Sequence, residues 1–298
     1  MYTVVWMMGT LLSFSLMAIC ARELAGELAT HQTLFFRSTI GLVCISFILL
    51  ASKHRVQIQT NKLHLHTLRN IFHFAGQYGW FLGIGLLPLA EVFALEFTVP
   101  IWTLIVAALA LGEKITTRKV VSILLGSLGV VVILQPGFSI VDTASFIVLA
   151  SAICYAVSHT ATKSLSSSDS AISILFYMCL VQLPIGLFLS LSSWVWPVGL
   201  QWLWLVTIGL TALSAHYCIV KAMQYAEATT VVTLDFLRLP LIALVGVLLY
   251  SEQFRFSLLI GGLLMLIGNI LSLKRTAYNK SINYAPSAPD AQNSRAGY

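Results

Sequence analysis

The segment VVTLDFLRLPLIALVGVLLY, residues 231–250, is almost wholly apolar, yet it carries Asp235, Arg238 and Pro240. A carboxylate and a guanidinium three residues apart share one face of a helix. The carboxylate can take a proton or a cationic group, and the guanidinium can fork onto a carboxylate or phosphate. Each costs about 2.5–3.5 kcal/mol to place at the centre of a bilayer helix. Residues held there at that cost are functional candidates; the plainer reading is a pair that neutralises itself so that the helix inserts. In ALEFTVPIW, residues 94–102, Glu96 and Pro100 stand four apart. A proline there kinks the helix and frees a carbonyl acceptor one turn earlier. Arg37, in LFFRSTIGL, is a third such charge. An ion pair with Glu96, a snorkelling side chain and a substrate contact all account for it.

Trp80, Tyr155 and Tyr217 offer flat surfaces with polar tips, suited to planar or amphiphilic molecules; ordinary aromatic packing explains them equally. Histidines 73, 159 and 216 fall in apolar runs without an HxxxH pair, so neither a metal site nor a cofactor is expected. His216-Tyr217 stands where Trp80-Phe81 stands in the first half of the chain, which makes it a candidate for the same wall. No GxSxG, HExxH or GxxxxGK[ST] occurs, which leaves a hydrolase or an ATP-driven machine without its working parts.

The elements that must hold these residues are membrane helices. Hydrophobic residues make up 58% of the 298 residues and charged residues 9%, with a mean hydropathy of +0.89; soluble domains carry about 25% charged residues. Windows of about 20 residues predict ten helices, near 2–20, 31–51, 70–87, 90–111, 119–135, 142–162, 171–191, 200–221, 228–250 and 256–273. The first has no basic residue before it and is read as retained rather than as a signal peptide. Residues 274–298 are polar and without apolar period, and read as a disordered tail. With the chain starting inside, thirteen Lys and Arg fall in inner loops, and only Arg22 and Arg255 in outer ones. That bias puts both termini in the cytoplasm. It accounts for the net charge of +6 without nucleic acid. The five cysteines lie in or at the ends of helices with no CxxC, and read as packing residues. Trp194, Trp196, Trp202 and Trp204 read as an interfacial belt.

The chain also repeats itself. LALGEKITTRKVVSILLGSLGVVVIL (109–134) matches LLYSEQFRFSLLIGGLLMLIGNIL (248–271), with Glu113 on Glu252 and Gly129 on Gly268 at an offset of 139. The same offset lays Glu96 on Asp235 and Phe97 on Phe236, while Pro100 and Pro240 fall one residue out of register. Five helices per copy is an odd number, so the second copy enters the membrane from the opposite side. The expected fold is therefore all-α: ten transmembrane helices as two inverted five-helix repeats, 1–137 and 138–273, around a central cavity. At 1.5 Å per residue, Glu96 and Asp235 each lie roughly 9–10 Å into the bilayer from opposite faces. Sites near the midplane, at a repeat interface, are the habit of secondary transporters. Glutamates 91, 113, 227 and 252 fall at helix ends and read as caps or anchors. Glycines 76, 79, 83, 126 and 129 read as close-packing positions.

On LPLAEVFALEFTVPIWTLIVAALALGEKITTRKVVSILLGSLGVVVILQPG (87–137) and YAEATTVVTLDFLRLPLIALVGVLLYSEQFRFSLLIGGLLMLIGNIL (225–271), the chain resembles the drug/metabolite transporter superfamily, with two tandem EamA-type repeats. The resemblance implies cytoplasmic termini and a cavity lined by helices 1, 3, 4, 6, 8 and 9, with 5 and 10 peripheral. Related second repeats often carry a proline just before the aspartate, whereas here Thr233-Leu234 precede it and Pro240 follows. The expected function is a carrier for a small organic solute (amino acid, nucleotide-like or drug-like) in a bacterial inner membrane. Proton coupling and facilitated diffusion both stand open, as do import and export, and a monomer or a homodimer. A non-transporting receptor or assembly factor on the same fold is the alternative, with a lipid-modifying membrane enzyme behind it.

Overall fold

A computed structural model of the chain describes residues 2–51, 58, 60–87, 92, 95–134, 143–241 and 256–282. Among these, all regular structure is helical. The helices are α1 (Tyr2–Leu24), α2 (Thr30–Ala51), α3 (Leu63–Leu86), α4 (Val99–Leu111), α5 (Thr117–Leu134), α6 (Thr143–Leu165), α7 (Ala171–Ser190), α8 (Gln201–Tyr225), α9 (Ala228–Leu234) and α10 (Phe256–Ile282). Five of them, α1, α2, α6, α7 and α8, are long and apolar enough to cross a bilayer by themselves. Large apolar side chains such as Phe47, Leu109 and Phe188 are exposed on the outer surface, as a lipid-facing surface requires. The readings of Glu91 and Glu252 lie outside the described residues, as do 242–250 of the ninth expected helix and 283–298 of the tail.

Three departures from the expected elements have physical causes. First, α3 begins at Leu63 rather than near 70, because its polar first turns are satisfied by protein instead of water. His66 Nε2 meets Asp169 Oδ2 at 2.7 Å, Arg69 Nε donates to Thr162 Oγ1 at 2.9 Å, and Asn70 Nδ2 donates to the Tyr177 carbonyl at 3.1 Å. Second, α10 runs on to Ile282, into the segment read as tail.

Third, the helices expected at 90–111 and 228–250 are both interrupted. Leu95 and Glu96 are helical, Phe97-Thr98 form a turn, and α4 restarts at Val99 with Thr98 as its N-cap. Pro100 therefore lies in the first turn of α4, where a missing N–H costs nothing, and not at a kink inside a continuous helix. In the second half, α9 ends at Leu234 and Asp235–Leu237 form a single 3-10 turn. Subtracting the repeat offset of 139 puts that turn on residues 96–98, the place where the first half breaks.

Packing follows small residues. The α3 glycines 76, 79 and 83 lie against Tyr155, Ser151 and Val148 of α6. α1 packs on α8, α2 on α7, and α5 on α10. A β-carbon on Gly129 would meet the Gly261 carbonyl oxygen at 2.7 Å, and one on Gly268 would meet the Ser122 carbonyl oxygen at 2.8 Å.

Candidate functional site

The interrupted helices place their charges in one cavity. Arg238 follows the 3-10 turn and is buried; its Nη2 pairs with Asp235 Oδ2 at 2.9 Å and also with Glu96 Oε1. The second oxygen of Glu96, Oε2, accepts from Trp80 Nε1 at 2.7 Å. The guanidinium carbon of Arg238 lies 5.5 Å from the centre of the Phe14 ring and 5.7 Å from that of Phe97, close enough for cation–π attraction. One cation thus serves two carboxylates, one from each half of the chain. Asp235 Oδ1 and Arg238 Nε are buried with no hydrogen-bond partner among the described residues.

Across the cavity lies a second polar group. Arg37 Nη2 donates to Gln182 Oε1 at 2.9 Å, and Gln182 Nε2 lies 2.8 Å from His73 Nδ1. His73 packs edge-on against His216, with ring centres 4.6 Å apart, and Tyr155 lies 6.0 Å from His73. The walls come from α1 (Phe14, Met17), α3 (His73, Gln77, Trp80, Phe81), the break before α4 (Glu96, Phe97) and its first turn (Val99, Pro100), α6 (Tyr155, His159), α8 (His216, Ile219) and the α9 break. α2 contributes Arg37, and no lining residue comes from α5 or α10 among the described residues. The free volume is about 60 Å³, room for about two waters.

Of the residues singled out from sequence, Glu96, Asp235, Arg238, Arg37, Trp80, Tyr155 and Pro100 meet around this cavity. Tyr217 does not: it packs edge-on against Trp6 at 5.8 Å, with Lys221 Nζ 5.7 Å from its ring. Neighbours in a helix point about 100° apart, and His216 takes the inward position. Pro240 lies beside Gly262 and away from the cavity. Arg37 pairs with Gln182 rather than Glu96, whose Oε1 is taken by Arg238. Gln77 and Gln182 went unseen in the sequence. The available signal was a buried amide in an apolar run, which must find a partner.

At the C-terminal end of α4, Glu113 joins the two halves. Gly112, at φ 68°, ends α4 in a left-handed turn that glycine adopts freely. Glu113 then accepts from the Ala228 backbone N–H (2.8 Å) and from Thr229 Oγ1 (2.9 Å) at the first turn of α9. Lys119 Nζ bridges Glu113 at 3.1 Å and Glu227 at 3.0 Å.

Known proteins resemble the chain over most of its length. It is 24% identical over 248 residues to an S-adenosylmethionine uptake transporter of Rickettsia prowazekii, covering 83% of this chain and 84% of that one. It is 30% identical over 252 residues to a riboflavin transporter of Vibrio cholerae, with the same coverage of 83% and 84%. It is 27% identical over 266 residues to a pseudopaline exporter of Pseudomonas aeruginosa, covering 89% and 93%. A solved crystal structure shares the fold at a TM-score of 0.78 and 20% identity, covering 93% of this chain and 98% of that one. The EamA-like transporter family model matches residues 1–135 and again 142–274. These relatives are transporters of small metabolites and not enzymes, and the chain is a multi-pass membrane protein that belongs to the EamA-like transporter family.

Proposed function

We propose that the chain is a secondary carrier that moves a small organic metabolite across a bacterial inner membrane, by alternating access to the cavity between two inverted repeats. The observation that carries this reading is Arg238 held between Glu96 and Asp235, the same repeat position in each half. Several contacts agree with a pseudo-two-fold axis through that point. Phe97 and Phe236, equivalent at the offset of 139, pack on each other with ring centres 5.5 Å apart. The same offset turns the Gly129–Gly261 contact into the Gly268–Ser122 contact. It also exchanges the α1–α8 pairing with α6–α3. Helices broken at the midplane are where such carriers build their sites.

Two carboxylates on one guanidinium leave one negative charge over, which a proton or a cationic group of the solute neutralises. The family likeness carries no direction, because an uptake transporter and an exporter both stand among the relatives. The test compares metabolites in cells and medium, by untargeted mass spectrometry, for strains expressing the chain, Asp235→Asn or Glu96→Gln. At least one metabolite is expected to change sides with the intact chain and about tenfold less with either variant. Identical profiles for all strains, with the proteins inserted, would contradict the carrier reading.

A further inference from the structure

The two ends of the cavity carry opposite formal charge that no group among the described residues cancels. At one end Glu96, Asp235 and Arg238 sum to −1, and Asp235 Oδ1 is a buried acceptor with no donor among the described residues. At the other end stands Arg37, 3% exposed, whose one hydrogen bond among the described residues goes to a neutral amide.

The bonding order around that amide is fixed by what each group can do. A guanidinium only donates, so Gln182 accepts with Oε1 and donates from Nε2 to His73 Nδ1, 2.8 Å away. Gln77 Nε2 approaches the same Nδ1 at 2.5 Å. Because Arg37 fixes which way Gln182 points, Nδ1 is the acceptor of the Gln182 amide, and His73 is neutral with its hydrogen on Nε2. The amide–imidazole chain positions Arg37 and leaves its charge standing. Arg69, one helical turn from His73 on α3, adds to the positive side: it is 1% exposed, bonded to Thr162 and Asn70, and without a carboxylate partner among the described residues. A buried charge without a counter-charge is costly, and a chain that keeps one in a solute cavity leaves the counter-charge to the occupant.

We propose, building on the carrier reading, that the transported solute is a zwitterion: a carboxylate seated on Arg37 and a protonated amine on the Asp235 side. A plain anion would leave the acidic end uncancelled and a plain cation would leave Arg37 uncancelled; a zwitterion satisfies both. One guanidinium matches one carboxylate as a two-bond fork. The wall between the two ends is made of rings, with His216 set edge-on to His73 at 4.6 Å and to Phe14 at 5.3 Å. At about 60 Å³ the cavity has to widen before a solute body enters, and these rings then offer it a flat, apolar surface.

The decisive variant is Gln182→Glu, which gives Arg37 an internal carboxylate of the same shape as the amide it replaces. Purified full-length protein in proteoliposomes is offered a small-molecule extract of bacterial cells, and the entrapped solutes are identified by mass spectrometry. Solutes moved by the wild type are expected to carry both an amine and a carboxylate. Gln182→Glu is expected to move them at least tenfold more slowly while its melting temperature is held or raised. Wild-type transport confined to solutes lacking either group would overturn the zwitterion assignment and leave the carrier reading intact. So would a stable Gln182→Glu protein that transports at the wild-type rate. Vesicles in which no solute moves would remove the carrier reading and this inference together.

Discussion

Arg238 is the residue on which the two halves of the chain meet, and its environment shows what a sequence can and cannot disclose at this scale. Glu96, Asp235 and Arg238 are legible because a charge inside an apolar run has no cheap structural excuse. The Glu96–Arg238 pair is not, because it spans 142 residues and nothing local encodes it. Arg37 shows the same limit: its charge is visible, but its partner Gln182 is an ordinary polar residue in an apolar helix. Outside the membrane spans, Asp169 gives a pH prediction. Burial pushes its carboxyl pKa up, but hydrogen bonds from His66, Thr60 and Ser168 outweigh that and hold it below the usual carboxylate range. The folded state therefore favours the ionised form more than the unfolded chain does. The stability this adds is complete above the unfolded aspartate value of about 3.9, and it is lost as pH falls through the lower folded value. Asp169→Asn should lower the melting temperature at pH 7, with the gap to wild type closing below about pH 3.9. A gap that stays constant across that range in thermal unfolding would disprove the ion's role.

Among the elements, apolar runs located the helices well and their ends less well. The start of α3 was hidden because His66, Arg69 and Asn70 look like loop residues until Asp169, Thr162 and Tyr177 are seen beside them. The breaks at 97–98 and 235–237 were hidden because Val99, Pro100 and Leu234 fit a continuous helix equally well. Only tertiary contacts, such as Trp80 on Glu96 and Arg238 across both breaks, decide where the helix stops. The α5–α10 contact, by contrast, was written in small residues. Gly129→Leu should force these helices apart and cost about 1–3 kcal/mol, the range for overpacking a tight contact. Gly85→Ala, with nothing within 4 Å of the added β-carbon, should be near neutral. Thermal unfolding of the two variants in one detergent checks the contrast, and equal melting temperatures would refute it.

For the whole molecule, the loops that touch sort the segments into two sides, and which side faces the cytoplasm is the expectation drawn from Lys and Arg. His31 meets Ser193 at 3.0 Å and Gln201 donates to Glu27 at 2.8 Å, joining two loops assigned to the outside. His66–Asp169 and the Lys119–Glu113–Glu227 cluster join segments assigned to the inside. In a protein freed of its native cysteines, Ala25→Cys should react with an impermeant maleimide in intact cells, and Ser167→Cys only after permeabilisation. The reverse pattern would invert the orientation. On the proposed carrier reading, such a frame, whose charged central cavity has about 60 Å³ of free volume, has to open toward each side in turn to pass a metabolite.

Counterflow tests that claim most directly. Proteoliposomes preloaded with the solute found in cells are diluted into labelled solute, and uptake is followed in time. A carrier that alternates around Glu96, Arg238 and Asp235 should show labelled solute rising above its equilibrium level and then decaying. Asp235→Asn and Glu96→Gln should each lose the overshoot about tenfold or more. An overshoot of wild-type size in both variants, or monotonic uptake by the wild type that preloading does not change, would contradict the account.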